Sequence, residues 1–280
     1  MNPNVRHSAV LLFDVQDGNP NGDPDLDNMP RFDPETNQGL VSDVCMKRKH
    51  RNYVQQVGGK GNNIFVQHGT SLELQQKLPY ISLEELKDKA KGKETEITDT
   101  EKARRWMCAN FYDIRCFGAV METTDYRCRN VVGPAQITFG RSYDPILSVE
   151  HGLTRVCQTT EKKQQAEHDN GTMGKKHTVA YGLYKSYIFY NAFLSAKTGF
   201  SEQDLDLFFK AWVNMFELDR SAARGLMSTR KLFVFEHSSA LGSARDHKLF
   251  DLIKVTKKTD IPRSFTDYKS RSRGIRFRLG

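Results

Sequence analysis

Residues 8–16, SAVLLFDVQ, are a strongly apolar run carrying the β-branched residues Val10 and Val15 and the aromatic Phe13. A run this short, rich in strand-favouring side chains, reads as a buried first strand. Upstream, Met1–His7 is polar and lacks the apolar core of a secretory leader. Downstream, Asp17–Gln38 is dense in Asn, Gly, Pro and Asp. A connection of about 20 residues is uncommon within one domain and is usually either functional or disordered.

Ser42 is suited to cap a helix running from Asp43 to about Gln56, which Gly58–Asn63 then breaks. Ile64–Gln67 reads as a short strand, Ser82 as the cap of a helix to about Lys91, and Thr98 or Asp99 as the start of another. That last helix runs to about Ala109 and continues or kinks through Phe117. Residues 131–147 and 153–159 are turn and strand, separated by the polar stretch 160–177 from Thr178–Phe193, a long strand throughout or one that passes into a helix. Ser201 caps an amphipathic helix over 202–216, with Leu205, Phe208, Phe209, Trp212 and Phe216 on one stripe. Lys231–His237 and Leu249–Lys257 read as late strands. Strands and helices mix without strict alternation, so the expected class is α+β.

The 280 residues suffice for one large domain with a core of its own, and 17 Phe with 10 Tyr argue against disorder. No run approaches the roughly 18 apolar residues of a membrane span. The five cysteines are scattered without a C-x-x-C pair, as befits free thiols in a reducing, cytoplasmic setting. Lys and Arg number 42 against 34 Asp and Glu, a net charge of +8 that is unevenly placed. Residues 254–280 hold nine basic and two acidic residues, whereas 14–35 hold seven acidic residues and one basic. Such a bipolar chain suits a polyanion on one surface and a copy of itself on another. A plain solvated basic end fits the charge count equally well.

The helix from Asp43 carries Lys47, Arg48, Lys49 and Arg51. At ~100° per residue, Lys47, Arg48 and Arg51 fall in one sector and Met46, Tyr53, Val54 and Val57 on the other side. The stripe fits a reader of nucleic-acid phosphates, and it also fits a solvated helix face. Asp23, Asp25 and Asp27 have calcium-loop spacing, but Asn28 stands where the turn glycine belongs and Pro34 where the closing Glu belongs. Gly58-Gly59-Lys60-Gly61 lacks the spacing of a phosphate loop. No histidine stands in a catalytic or metal-binding motif, so no catalytic residue, metal or cofactor is expected. Between strand-like flanks, Thr159–His177 carries Lys162, Lys163, Lys175 and Lys176 around the lone apolar Met173. An exposed Met there suits a wedge between bases; one folded back on the body would be packing.

Taken together, HSAVLLFDVQDGNPNGDPD, GLVSDVCMKRKHRNYV, DIRCFGAVM, GPAQITFGRSYDPI and GTMGKKHTVAYGLYKSYIFYNAF resemble, in this order, the backbone subunit of type I CRISPR surveillance complexes (Cascade). The likeness is greatest to subtype I-C and covers roughly residues 8–240. It implies a single RRM-like (ferredoxin-like) palm over 1–280, with an acidic loop at 17–40, fingers at about 58–130 and a thumb hairpin at about 153–180. The basic tail, 254–280, has no counterpart. The resemblance also implies a non-catalytic subunit that polymerises along CRISPR RNA, exposes bases for pairing with a target DNA strand, and joins other Cascade subunits and a recruited helicase-nuclease. Ser42, Lys47 and Arg51 match the family's RNA-contacting helix; Arg48 and Lys49 follow from the stripe alone. Met173 matches the thumb wedge, with Lys175, Lys176 and His177 beside it. In type III relatives the acidic loop carries an RNA-cleaving Asp. The alternative implied there is a metal-dependent endoribonuclease using Asp23, Asp25 and Asp27.

Overall fold

Strand β1 (His7–Gly18) lies inside a seven-stranded antiparallel sheet and is covered on both faces. We describe it in a computed structural model over residues 1–87, 96–155, 157 and 172–272. Because successive side chains of a strand point to opposite sides, Ala9, Leu11, Phe13 and Val15 enter one core while Val10 and Leu12 enter another. The unbroken apolar run of the sequence has this physical origin.

After β1, the short strands β2 (Gly22–Asp23) and β3 (Met29–Pro30) pair with each other, and β4 (Gln38–Val41) leads into α1 (Asp43–Val57). Next come α2 (Leu72–Ser82), α3 (Ile97–Asn110) and α4 (Tyr112–Phe117), then the strand pair β5 (Gly118–Ala119) and β6 (Val131–Val132). These are followed by β7 (Ala135–Ile137), β8 (Gly140–Pro145), β9 (Ser148–Arg155) and β10 (Thr172–Tyr190). The chain continues through α5 (Ala192–Thr198), α6 (Glu202–Leu218), β11 (Leu226–Glu236), α7 (Asp246–Phe250), β12 (Ile253–Lys257) and β13 (Tyr268–Ser272). The sheet order is β11-β1-β10-β8-β4, with β7 and β9 also paired to β10.

Helices α1 and α6 cover the first face, where Met46, Phe13, Phe208, Trp212 and Phe216 are fully or almost fully buried. On the second face Val10, Leu12, Leu183 and Phe233 are covered by Ile253 of β12 and Tyr268 of β13. A smaller core beside the sheet joins Phe65 and Tyr80 to Met107, Phe111, Ile114 and Met121.

Several expectations change. Ile64–Gln67 forms no strand: Ile64 and Phe65 are buried, and the nearest pairing is an isolated bridge between Asn63 and Phe111. Ser82 ends α2 instead of capping a helix; Ser71 caps α2 by accepting from the Leu74 N–H, and residues 88–91 lie outside the described residues. Leu249–Phe250 closes α7 before β12 begins. Val57 is 46% exposed and not core. The stretch 17–38 is not an open loop, since β2 and β3 fold it and Asn19 ties its start to the body and to its own middle. The Asn19 N–H donates to Ala223 O at 2.7 Å and its Nδ2 to Asn28 O at 2.7 Å. Up to Ser272 the basic end is not a tail either, because β12 and β13 are the lid of the second core; Arg273, Arg276 and Arg278 lie outside the described residues.

One buried ring on the first face sets a pH dependence. His50 is fully buried among Phe117, Phe208 and Trp212, with Tyr112 Oη 3.1 Å from Nε2 and no partner for Nδ1 among the described residues. Burial holds its pKa well below the ordinary imidazole value. The unfolded chain therefore takes up a proton below about pH 6.5 that the folded chain refuses. Stability should fall as pH drops below that value, with a limiting slope near ~1.4 kcal/mol per pH unit from this group. Urea unfolding between pH 7.5 and 5.5 checks this, and His50→Phe, which keeps the ring volume, should flatten the slope.

Candidate nucleic-acid interface

Two parts of the molecule gather the side chains singled out by the sequence: the exposed edge of α1 and the arm formed by β9 and β10. At α1, Ser42 is the cap. Its Oγ accepts from the Cys45 N–H at 3.2 Å and donates to Asn21 Oδ1 at 3.0 Å. The hydroxyl is thus occupied, and it holds the 17–38 segment against the helix start.

The cationic stripe divides in two. Lys49 is 3% exposed and ion-paired with Asp219 beyond the end of α6; Arg224 meets the same carboxylate at 3.0 Å. Arg51 is buried too, its Nε donating to Asp113 Oδ2 at 2.8 Å while its guanidinium lies over Phe117. Asp113 also accepts from the backbone N–H groups of Phe65 (2.8 Å) and Val66 (3.1 Å). Lys49 and Arg51 therefore fasten α1 to its neighbours, which corrects the expectation of a single open cationic face. Their spacing on the helix was right, but charge in a sequence does not reveal a counter-ion supplied from afar.

Lys47 and Arg48 remain at the periphery. The Lys47 side chain is 16% exposed and its Nζ reaches Asp43 Oδ2 and Gln136 Oε1, each at 3.2 Å. Arg48 donates to the carbonyl of Val66 at 2.9 Å. Both contacts are with partners that solvent also reaches, so an incoming phosphate could replace them at low cost. Gln136, the exposed residue between buried Ala135 and Ile137 on β7, is a member of this edge that carried no sequence signal beyond strand alternation.

The arm follows from a mismatch in strand length. β1 ends opposite Val179 at Gly18, whereas β10 begins seven residues earlier, at Thr172. Among the described residues the only strand paired over Thr172–Thr178 is β9, in register from Thr172 opposite Arg155 to Val179 opposite Ser148. The eight pairs span about 24 Å at ~3.4 Å per residue. Met173 is 81% exposed on this arm and does not fold back on the body. The connection 158–171, with Lys162 and Lys163, lies outside the described residues, as does residue 156.

Register separates the arm's candidates. Met173, Lys175 and His177 stand opposite Thr154, Gly152 and Glu150 on one side of the ribbon, and Lys176 stands opposite His151 on the other. Lys175 Nζ lies 2.9 Å from Glu150, and this hydrogen bond holds the glutamate below its ordinary carboxylate range. His177 is buried at the base, neither ring nitrogen hydrogen-bonded among the described residues, with Asp27 Oδ2 3.8 Å and Glu150 Oε2 4.0 Å from Nε2. It is placed to hold the acidic segment to the arm and not to reach outward. Adjacent positions on a strand face opposite ways, so the row Lys175-Lys176-His177 cannot act as one patch.

The three aspartates of the 23–27 segment do not converge. Asp23 accepts from the Asp25 N–H at 3.2 Å and from Arg31 at 3.0 Å, and Asp27 sits in the left-handed backbone region at φ 49°. Among the described residues no cluster of three or more His, Cys, Asp or Glu side chains could hold a metal ion.

Residues 5–272 match the family model described as CRISPR-associated protein Cas7. The chain belongs to the Cas7 family. A 53-residue stretch is 47% identical to a CRISPR-associated protein Cas7 of Haloferax volcanii, covering 19% of this chain and only 16% of that protein. The fold is similar to a chain of a solved CRISPR RNA-guided surveillance complex described as pre-nicking, with a TM-score of 0.54 and 14% identity. That likeness covers 82% of this chain and 75% of the other, and at this identity it speaks for the fold alone. As a Cas7 family member the chain has a central antiparallel sheet in a mixed α/β architecture. Among the described residues, no helix is long and apolar enough to cross a membrane.

Proposed function

We propose that this Cas7 family member is a non-catalytic, guide-RNA-binding backbone subunit of a CRISPR surveillance complex. The family match over residues 5–272 carries the reading. On this reading copies of the chain line up along the spacer of the CRISPR RNA, leaving bases free to pair with a target DNA strand. Other Cascade subunits complete the complex and a helicase-nuclease is recruited to it. The segments that resemble the subtype I-C subunit support that subtype, and a cytoplasmic location accords with such a complex.

The topology supports an RRM-like palm within one domain: β1, α1, β8, β10, α6 and β11 follow one another, with sheet order β11-β1-β10-β8 and both helices on one face. The segments from about 58 to 130 would be the fingers and the β9–β10 arm the thumb. Its exposed Met173 is suited to wedge between bases while Lys175 and Lys176 meet backbone on opposite sides. Ser42, Lys49, Arg51 and His177 then shape the RNA surface from behind, and Lys47 with Arg48 touches phosphate.

Engagement of Asp23 by Arg31 favours the non-catalytic reading over a metal-dependent endoribonuclease. Guide-loaded protein incubated with complementary RNA and Mg²⁺ should leave that RNA intact; cleavage abolished by Asp→Ala changes at 23, 25 and 27 would establish the enzyme. The RNA surface is tested by Lys47→Ala with Arg48→Ala. Affinity for single-stranded RNA should fall about equally across sequences. The slope of log affinity against log salt should flatten by about 1.4, or ~0.7 per lost phosphate contact. Unchanged affinity and slope would remove α1 from the RNA path.

A further inference from the structure

The second face of the sheet carries a cationic surface that the guide-RNA reading leaves unused. In the β12–β13 hairpin, Lys254 stands directly opposite Arg271, and Thr256 opposite Lys269. Alternation sends these four side chains outward, while Ile253 and Tyr268 point in and are buried against the sheet. With Asp251 and Leu252 the four line an open groove, and all of them are exposed.

Like charges directly opposite one another across a strand pair repel, so the hairpin carries an electrostatic cost in isolation. Nearby cations are relieved of it: Lys257 Nζ meets Asp144 at 3.3 Å and Arg230 meets Asp14 at 2.7 Å. Among the described residues, Lys254, Lys269 and Arg271 form no ion pair with a carboxylate. In sequence the same two-residue spacing continues to Arg273.

We propose that the outer face of this hairpin is a second nucleic-acid surface, which grips the phosphodiester backbone of a strand other than the one that lies along α1. The proposal extends the guide-RNA reading by one further strand. Charge complementarity carries it: Lys, Arg and a Thr hydroxyl are side chains that hold phosphates without reading sequence. Among the described residues the groove has no aromatic anchor of the kind that dominates protein interfaces, and Leu252 is its single apolar member. Helices α1 and α6 lie on the other face of the sheet, so its thickness separates these cations from Lys47 and Arg48.

The full chain, saturated with a guide-length RNA, is titrated with fluorescent oligothymidylate DNA over a range of salt. K254E/K269E/R271E should weaken DNA binding by at least tenfold and flatten the salt slope by about 2, from three phosphate contacts at ~0.7 each. Its RNA affinity should stay within about twofold and its Tm should not change, since all three positions are exposed. Lys47→Ala with Arg48→Ala should do the reverse, losing RNA and keeping DNA. DNA binding unchanged in the triple variant overturns the proposal, as does an equal loss of RNA, which would mean one shared path. A triple variant that loses only self-association in sedimentation assigns the face to an acidic protein surface and also overturns it. If Lys47→Ala with Arg48→Ala leaves RNA binding intact while the triple variant still loses DNA, the α1 reading fails and this one stands.

Discussion

Replacing Asp204 by Ala is expected to lower the unfolding free energy by about 3–5 kcal/mol, the range for stripping a buried charge of its partner. Asp204 is buried on α6, and both its oxygens face Arg115: Oδ1 accepts from Nη2 at 2.8 Å and Oδ2 from Nε at 3.2 Å. The Arg115 guanidinium also serves the carbonyls of Cys108 (2.8 Å), Gly61 (3.1 Å) and Ala109 (3.3 Å), and Asn62 Oδ1 (2.7 Å). One arginine thereby joins α3, α4, α6 and the 58–63 turn. Asp204 has a second duty as the third residue of α6, where it accepts from the Ser201 N–H at 2.9 Å while Ser201 caps the helix. Losing that reciprocal cap adds about 1 kcal/mol. Urea denaturation measures the sum. The double variant Arg115→Met, Asp204→Leu should recover part of the loss, because apolar groups of similar size carry no desolvation cost. Recovery stays partial because the carbonyls lose their donor. Equal losses in the single and double variants would mean that packing, not the stranded charge, sets the effect.

The second large effect is expected at Asp113. Asp113→Ala removes the acceptor of two backbone N–H groups and of Arg51 in one step, again costing about 3–5 kcal/mol. Here the damage should be local first. Residues 64–67 have no ladder of their own, and the Asp113 carboxylate replaces one for Phe65 and Val66. Hydrogen exchange at those two amides should accelerate well before the β1 amides respond, whereas Asp113→Asn, which keeps a side-chain carbonyl, should protect one of them. Exchange rising uniformly over the chain would contradict a local role.

Asp219 and Asp113, which bury Lys49 and Arg51, explain why the candidate site was only half legible in the sequence. Helical spacing placed Lys47, Arg48, Lys49 and Arg51 correctly on α1, and Ser42 does cap it. Periodicity says which side chains share a sector, yet not which sector meets another element. The partners of Lys49 and Arg51 stand 170 and 62 residues away. On the arm, Met173 stood out as a lone large apolar residue, but its exposure and the split of Lys175 from Lys176 needed the β9–β10 arm. At the C-terminal end the surplus of positive charge was plain, and its organisation was hidden. Lys254, Lys269 and Arg271 come together only because Ile253 and Tyr268 anchor the hairpin on the second core.

By itself, the sequence determined what depends on near neighbours along the chain: the buried strand of residues 8–16, the capped helix after Ser42, the amphipathic helix after Ser201 and the family to which they belong. The physical reason is that alternation, helical period and cap chemistry are set within a few residues. Tertiary structure alone decided which charges are spent inside the fold and which face outward, because a counter-ion or a covering strand comes from any distance. It buried Lys49 and Arg51, bared Met173, and turned the basic end into a hairpin with one face against the core and one toward solvent.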